Sequence, residues 1–115
     1  MAERTGKLDL QAAAAFLETV PRGRWTSYGD VAIAAGRTSL AAQGVASWIG
    51  GRGHELANVH RVLTSRGEIN AGWRPAGPGL PANATEVARL LKDEGVRFTD
   101  GRAESSQRWL PDQGA

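Results

Sequence analysis

Apolar residues recur at helical spacing in three parts of the chain. Leu10, Ala13, Ala14, Phe16, Leu17 and Val20 give one face of a helix over residues 9–20, with Asp9 placed to cap its free amides. Pro21-Arg22-Gly23 stops that helix and turns the chain, and Arg24-Trp25-Thr26 reads as a short extended piece. Ser27-Tyr28-Gly29-Asp30 has the Ser-x-x-Asp form of a capping box. It predicts a short helix through Val31, Ile33 and Ala34 to Ala35, ended by Gly36. A third helix is expected from residue 38 or 39 to about 49, on Ala41, Val45, Trp48 and Ile49, with Gly50-Gly51 closing it. The last periodic stretch begins at a second capping box, Asn83-Ala84-Thr85-Glu86, and runs to about Asp93 with Val87, Leu90 and Leu91 inward. Glu94-Gly95 ends it.

Between the helices the pattern changes. Val59, Val62 and Leu63 favour a buried strand or extended turn. Arg66-Gly67 between β-capable residues suggests that residues 61–69 form a small β-ribbon or wing. Residues 70–81 are a loop rich in Gly and Pro that holds Trp73 and Arg74, and loops of this length are often functional. Val96-Arg97-Phe98 is a short extended piece. Residues 99–115 are polar apart from Trp109 and Leu110, and a loosely ordered tail is expected there.

Two short helices joined at a glycine make a helix-turn-helix candidate. The outer face of the second, with Ser39, Ala42, Gln43, Gly44, Ala46 and Ser47, is small and uncharged. Such a face suits tight packing on another helix or close approach to a narrow DNA groove, and the pattern alone does not choose. In Asn58-Val59-His60-Arg61-Val62 two basic residues sit in an apolar run. They must be paired or line a cavity, because burying an isolated charge is costly.

Composition narrows the chemistry. At 115 residues one domain, 1–115, is expected, without internal repeats. The 41% hydrophobic and 23% charged content is that of a globular protein. No apolar run approaches the roughly 20 residues of a membrane span, and the polar residues 1–7 do not read as a signal peptide, so a cytoplasmic protein is expected. The absence of cysteine excludes disulfides, thiolate metal sites and a thiol nucleophile. With only His54 and His60, no metal or other cofactor is expected. Net charge is +2 and the pI about 9.7, with Lys7 and Lys92 the only lysines. An Arg-based excess suits phosphate contacts and is a weak pointer to nucleic acid.

Several motifs, in order, resemble the DNA-binding, active-site domain of O6-alkylguanine-DNA alkyltransferases over residues 21–98. Residues 23–30 are similar to the Gly-x-x-x-x-Tyr lead-in to the helix-turn-helix, with Gly36 as the turn glycine. Ala41-Ala42-Gln43-Gly44-Val45 resembles the Ala-Arg-x-Val core of the recognition helix. Asn58-Val59-His60-Arg61-Val62 resembles the Pro-Cys-His-Arg-Val signature, Ser65-Arg66-Gly67 the Ser-x-Gly turn, and Leu90-Leu91-Lys92-Asp93-Glu94-Gly95 the Leu-Leu-x-x-Glu-Gly helix end. The resemblance is closest to the alkyltransferase-like proteins that lack the reactive cysteine. It implies a mainly α fold with a small β-ribbon, a winged helix-turn-helix-like alkyltransferase C-terminal domain.

The departures shape the function that the resemblance implies. The acceptor cysteine is replaced by Val59, which cannot take an alkyl group; His60 and Glu94 remain as a vestigial relay. Relatives more often carry Trp or Ala at that position, and the small Val59 is expected to leave an apolar pocket with room for an alkyl group. The base-replacing Arg aligns with Gln43, within one residue, and the signature proline is Asn58. The implied function is binding of O6-alkylguanine lesions without repair. The recognition helix would enter the minor groove, about 6 Å wide, and the damaged base would be flipped into a pocket. The DNA-binding residues are then Tyr28, Thr38, Ser39, Ala42, Gln43, Gly44, Ser47, Arg52 and Arg66; the lesion pocket is Tyr28, Val59, Trp73 and Arg74. Arg52, Arg66 and Arg74 are the phosphate or lesion contacts, while Arg61 is expected in a buried ion pair. The implied partners are alkylated double-stranded DNA and nucleotide excision repair proteins, the protein a monomer, nucleoid-associated if bacterial. Two alternatives stay open: a general minor-groove binder without lesion preference, and a hydrolase built on His60 and Glu94, for which no nucleophile or metal is at hand.

Overall fold

The structure, a computed structural model, describes residues 8–113. The polar N-terminal stretch 1–7 and the last two residues of the tail lie outside the described residues. Helix α1 (Leu10–Thr19) buries Ala13, Phe16 and Leu17, and the Asp9 carboxylate accepts the Ala12 amide at 3.0 Å. Val20 is extended ahead of Pro21, as a residue before proline must be. Helix α2 (Tyr28–Ala34) starts from a complete capping box, in which the Ser27 hydroxyl accepts the Asp30 amide and Asp30 accepts the Ser27 amide. Its end is a Schellman turn: Gly36 has φ +86°, its amide meets the Ile33 carbonyl, and the Arg37 amide meets the Ala32 carbonyl.

A 3-10 turn (Ser39–Ala41) leads into α3 (Ala42–Arg52). Gly50-Gly51 does not close that helix, contrary to expectation. It runs on to Arg52 and into a second 3-10 turn (Gly53–Glu55). The glycines serve clearance instead. A Cβ on Gly50 would stand 2.7 Å from the Arg74 guanidinium, and one on Gly53 2.8 Å from the Pro75 ring. The 70–81 loop lies directly on the end of α3.

The stretch around Val59 is a 3-10 turn (Val59–Arg61) followed by the two-residue strand β2 (Val62–Leu63). This strand pairs in parallel with β1 (Thr26–Ser27), Thr26 opposite Val62 and Ser27 opposite Leu63. The expected ribbon over 61–69 is therefore absent there. Val62 packs into the larger apolar cluster with α1, α2 and α3, and Leu63 into a second cluster with Trp25, Val87 and Leu91. A strand buried on both faces belongs between two cores. After it the chain only turns, closed by the Thr64 amide on the Glu68 carbonyl with Gly67 at φ +81°.

Helix α4 (Ala84–Asp93) is capped by Asn83, which accepts the Glu86 amide. Glu86 reaches back to the Ala82 amide rather than to Asn83, so the second capping box is only half formed. A Schellman turn at Gly95 (φ +106°) ends the helix and brings Val96 onto Leu91 in the second cluster.

The antiparallel ribbon lies in the tail. Strands β3 (Phe98–Thr99) and β4 (Arg102–Ala103) are joined through Asp100 and Gly101, both at positive φ, the signature of a type I′ hairpin. The tail does not trail away as its polarity suggested. Residues 104–109 return along Trp25, which is 1% exposed, and bridge to it in parallel at Arg108. The class is mainly α with a small β-ribbon. Among the described residues no helix is long and apolar enough to cross a membrane.

Candidate nucleic-acid interface

The helix-turn-helix is held close by small residues. A Cβ on Gly29 would come within 3.1 Å of the Ser39 Cβ, so α2 and the Ser39–Ala41 turn are nearly in backbone contact. Thr38 accepts the Leu40 amide through its hydroxyl at 3.3 Å and steadies that turn. Val45 and Ile49 anchor α3 in the core, while Ser39, Gln43 and Ser47 stay exposed. Close packing is seen at Gly29 and Gly50, outside that small face, while Ser39, Gln43 and Ser47 leave a smooth uncharged surface. Gly44 is exposed, with Leu8 as its neighbour: a Cβ there would stand 3.4 Å from the Leu8 side chain. Leu40, at the head of this surface, is 93% exposed and was not picked out by periodicity.

A cleft opens along that surface in two hollows. One, of about 160 Å³, is lined by Tyr28, Gln43, Ala46, Ser47, Asn70, Trp73 and Arg74, among others. The other, of about 420 Å³, is lined by Tyr28, Ser39, Ala42, Gln43, Thr64, Ser65 and Asn70, among others. Tyr28, Gln43, Ala46 and Asn70 border both. The Tyr28 ring is 7% exposed, and its hydroxyl accepts from the Asn70 amide group at 3.4 Å. Burial pushes its pKa above the usual phenol value, against the Asn70 hydrogen bond, so it is a neutral phenol at physiological pH. Trp73 does two jobs. Its indole N–H donates to the Pro81 carbonyl at 3.0 Å, pinning the loop, while it also lines the smaller hollow.

The residues expected to act together separate into two places. Tyr28, Ser39, Ala42, Gln43, Ser47, Trp73 and Arg74 meet at the cleft; Thr38 stands beside it. Arg66 is exposed on the Thr64–Glu68 turn with no ion-pair partner among the described residues. Arg52 is exposed but bound to Glu55 at 2.7–2.8 Å. Val59 lines neither hollow; at 1% exposure it packs in the larger core cluster. Ala46, from the small face of α3, also borders the cleft, and so does Asn70, which the sequence does not single out. Asn70 opens a loop already marked as functional, but nothing in its spacing points it toward Tyr28.

The signature stretch forms a buried polar lock. Glu94, its side chain 4% exposed, accepts Arg61 Nε at 2.9 Å and Nη2 at 3.1 Å, and meets His60 Nε2 at 2.9 Å. Arg61 Nη1 also donates to the Val20 carbonyl and to Asn58 Oδ1, and Asn58 Nδ2 donates to the Leu17 carbonyl. The expected buried ion pair of Arg61 is thus observed, and it ties the end of α1 to the end of α4. Asn58 stands at φ +58°, a conformation open to Asn but closed to proline. Burial, joined by the Arg61 charge, lowers the His60 pKa against the pull of Glu94. Burial would raise Glu94, but the hydrogen bonds from Arg61 and His60 outweigh it and its pKa is lowered. At neutral pH the site is a neutral imidazole donating to a carboxylate, with an aliphatic Val59 before it.

Residues 10–96 match the family model described as 6-O-methylguanine DNA methyltransferase, DNA binding domain. The match takes in α1, which the motifs from Pro21 onward did not reach. No curated protein matches the chain.

Proposed function

The chain belongs to the 6-O-methylguanine DNA methyltransferase DNA-binding-domain family, and from that premise we propose that it recognises O6-alkylguanine in duplex DNA without repairing it. DNA binding is the family's property; the lesion and the lack of chemistry are the proposal. The observation that carries it is Val59. It stands at the signature position beside an intact His60–Glu94 pair, in a chain without a cysteine. A relay with nothing to activate has no route to a covalent product.

The cleft is where a rotated base fits this reading. The α3 face with Ser39, Gln43 and Ser47 would lie in the minor groove, and the base would enter between Tyr28, Trp73 and Arg74. Rotation costs a few kcal/mol and less for a weakened pair, which favours the damaged base. With no covalent step, the complex acts by persisting, and its readers would be nucleotide excision repair proteins.

A second reading has its own support. Val59 lies in the core and not at the cleft, and Gln43 lacks the charge and stacking plane of an arginine. Both fit a minor-groove binder indifferent to alkylation. Competition binding of O6-methylguanine and guanine duplexes at one salt concentration separates the two. Tighter binding to the lesion, reduced in Tyr28→Ala and Trp73→Ala, is expected. Equal affinities would leave the second reading standing.

A further inference from the structure

We infer that Arg108, in the tail beyond the family-matched residues, is a positioning residue for the cleft. Its guanidinium joins the capping box of α2 to the carbonyl of the cleft residue Ser65. Nε donates to Asp30 Oδ2 at 2.8 Å, and Nη2 to Asp30 Oδ1 at 3.1 Å and to Ser27 Oγ at 3.0 Å. Nη1 reaches the Ser65 carbonyl at 3.5 Å. Asp30 and Ser27 are the two halves of the capping box that starts α2, and Tyr28 is the first residue of that helix. Ser65 and Tyr28 both line the larger hollow.

The contact is built for geometry. Asp30 is 4% exposed and also accepts the Ser27 amide, so its buried carboxyl group needs donors held in fixed places. An Arg fork supplies two parallel donors to the carboxylate and a third to the hydroxyl, which a lysine cannot do. The tail around Arg108 is itself fixed. The Trp25 amide donates to the Gln107 carbonyl, and the Trp109 amide to the Trp25 carbonyl. The Thr26 hydroxyl donates to the Trp109 carbonyl at 2.8 Å, and the Trp109 indole donates to the Thr19 hydroxyl at 3.1 Å. The guanidinium also stacks 5.4 Å from the Trp25 ring centroid. The tail thus braces the first turn of α2 from behind, and through it the Tyr28 ring.

This inference rests on the cleft being the DNA site. Tyr28 is the chain's single tyrosine, so fluorotyrosine labelling places one fluorine NMR signal in the cleft. The full chain is compared with Arg108→Gln and Arg108→Lys, below their melting temperatures, by that signal and by affinity for guanine and O6-methylguanine duplexes. The expected result is that Arg108→Lys stays folded but shifts or broadens the Tyr28 signal. It should also lose about tenfold in duplex affinity, equivalent to about 1.4 kcal/mol. Arg108→Gln should lose more. Wild-type signal and affinity in either folded variant would overturn the inference. So would unfolding of both variants where the wild type is stable, which would reduce Arg108 to a determinant of the fold. A wild type without lesion preference defeats the lesion reading alone, because total duplex affinity and the Tyr28 signal still decide the role of Arg108.

Discussion

His60 and Glu94 face each other at 2.9 Å, and Glu94 also ties two helix ends together. Glu94 holds Arg61, and Arg61 holds the carbonyl end of α1. Breaking a buried pair by removing one partner typically costs about 3–5 kcal/mol, so Glu94→Gln should lower the urea midpoint by that amount of stability. The pair also sets a pH dependence. His60 has a lowered pKa in the fold, so as pH falls the unfolded chain takes its proton first and stability drops, beginning near the ordinary value of about 6.5. Glu94 is lowered as well. Its contribution is complete above the ordinary carboxylate range and is lost as pH falls through its folded pKa. Both slopes have one sign. Denaturation at a series of pH values should show stability falling continuously below about pH 6.5, and in Glu94→Gln the lower part of that fall should vanish. A stability that rises on acidification would contradict this account. The pairing of Arg61 was legible from an arginine in an apolar run. Its partner, 33 residues away, needed the fold.

At the scale of elements, local chemistry was read well where it acts locally. The Ser27–Asp30 box and the glycines after α2 and α4 stand where the sequence puts them, because a cap is satisfied within four or five residues. Gly50-Gly51 misled because a glycine that ends a helix and a glycine that admits a neighbour look alike in sequence. The two roles separate by mutation. Gly50→Ala gains up to about 1 kcal/mol of helix propensity and displaces only the flexible tip of Arg74. Gly53→Ala meets the rigid Pro75 ring, and overpacking of that kind costs about 1–3 kcal/mol. Thermal melts should show Gly50→Ala near or above wild type and Gly53→Ala clearly below it. Equal destabilisation would mean that the 70–81 loop yields as a whole. The hairpin at Asp100-Gly101 was also legible, since Asp-Gly is the preferred type I′ pair, but it was sought at Arg66-Gly67 instead.

Over the whole molecule, the modest net charge of +2 makes the placement of arginines matter more than their number. Arg74 lines the cleft and Arg66 is unpaired among the described residues, whereas Arg52 is held by Glu55. The logarithm of a duplex affinity falls with the logarithm of salt by about 0.9 for each phosphate neutralised. Arg66→Ala and Arg74→Ala should each flatten that slope by about one unit, and Arg52→Ala by less. Unchanged slopes for the first two would place the phosphates on another face.

What the sequence determined by itself is the family, the places of the helices with most of their caps, and the absence of cysteine. These depend on residue identity and on interactions within a few positions. Only the tertiary structure decided where the cleft lies, that Val59 packs in the core cluster, and that the tail folds back along Trp25. Those outcomes rest on contacts such as Arg108 with Asp30, 78 residues apart. A polar tail reads as solvated until its donors are seen to meet a buried carboxylate. Local pattern carries no information about which distant segment will supply one.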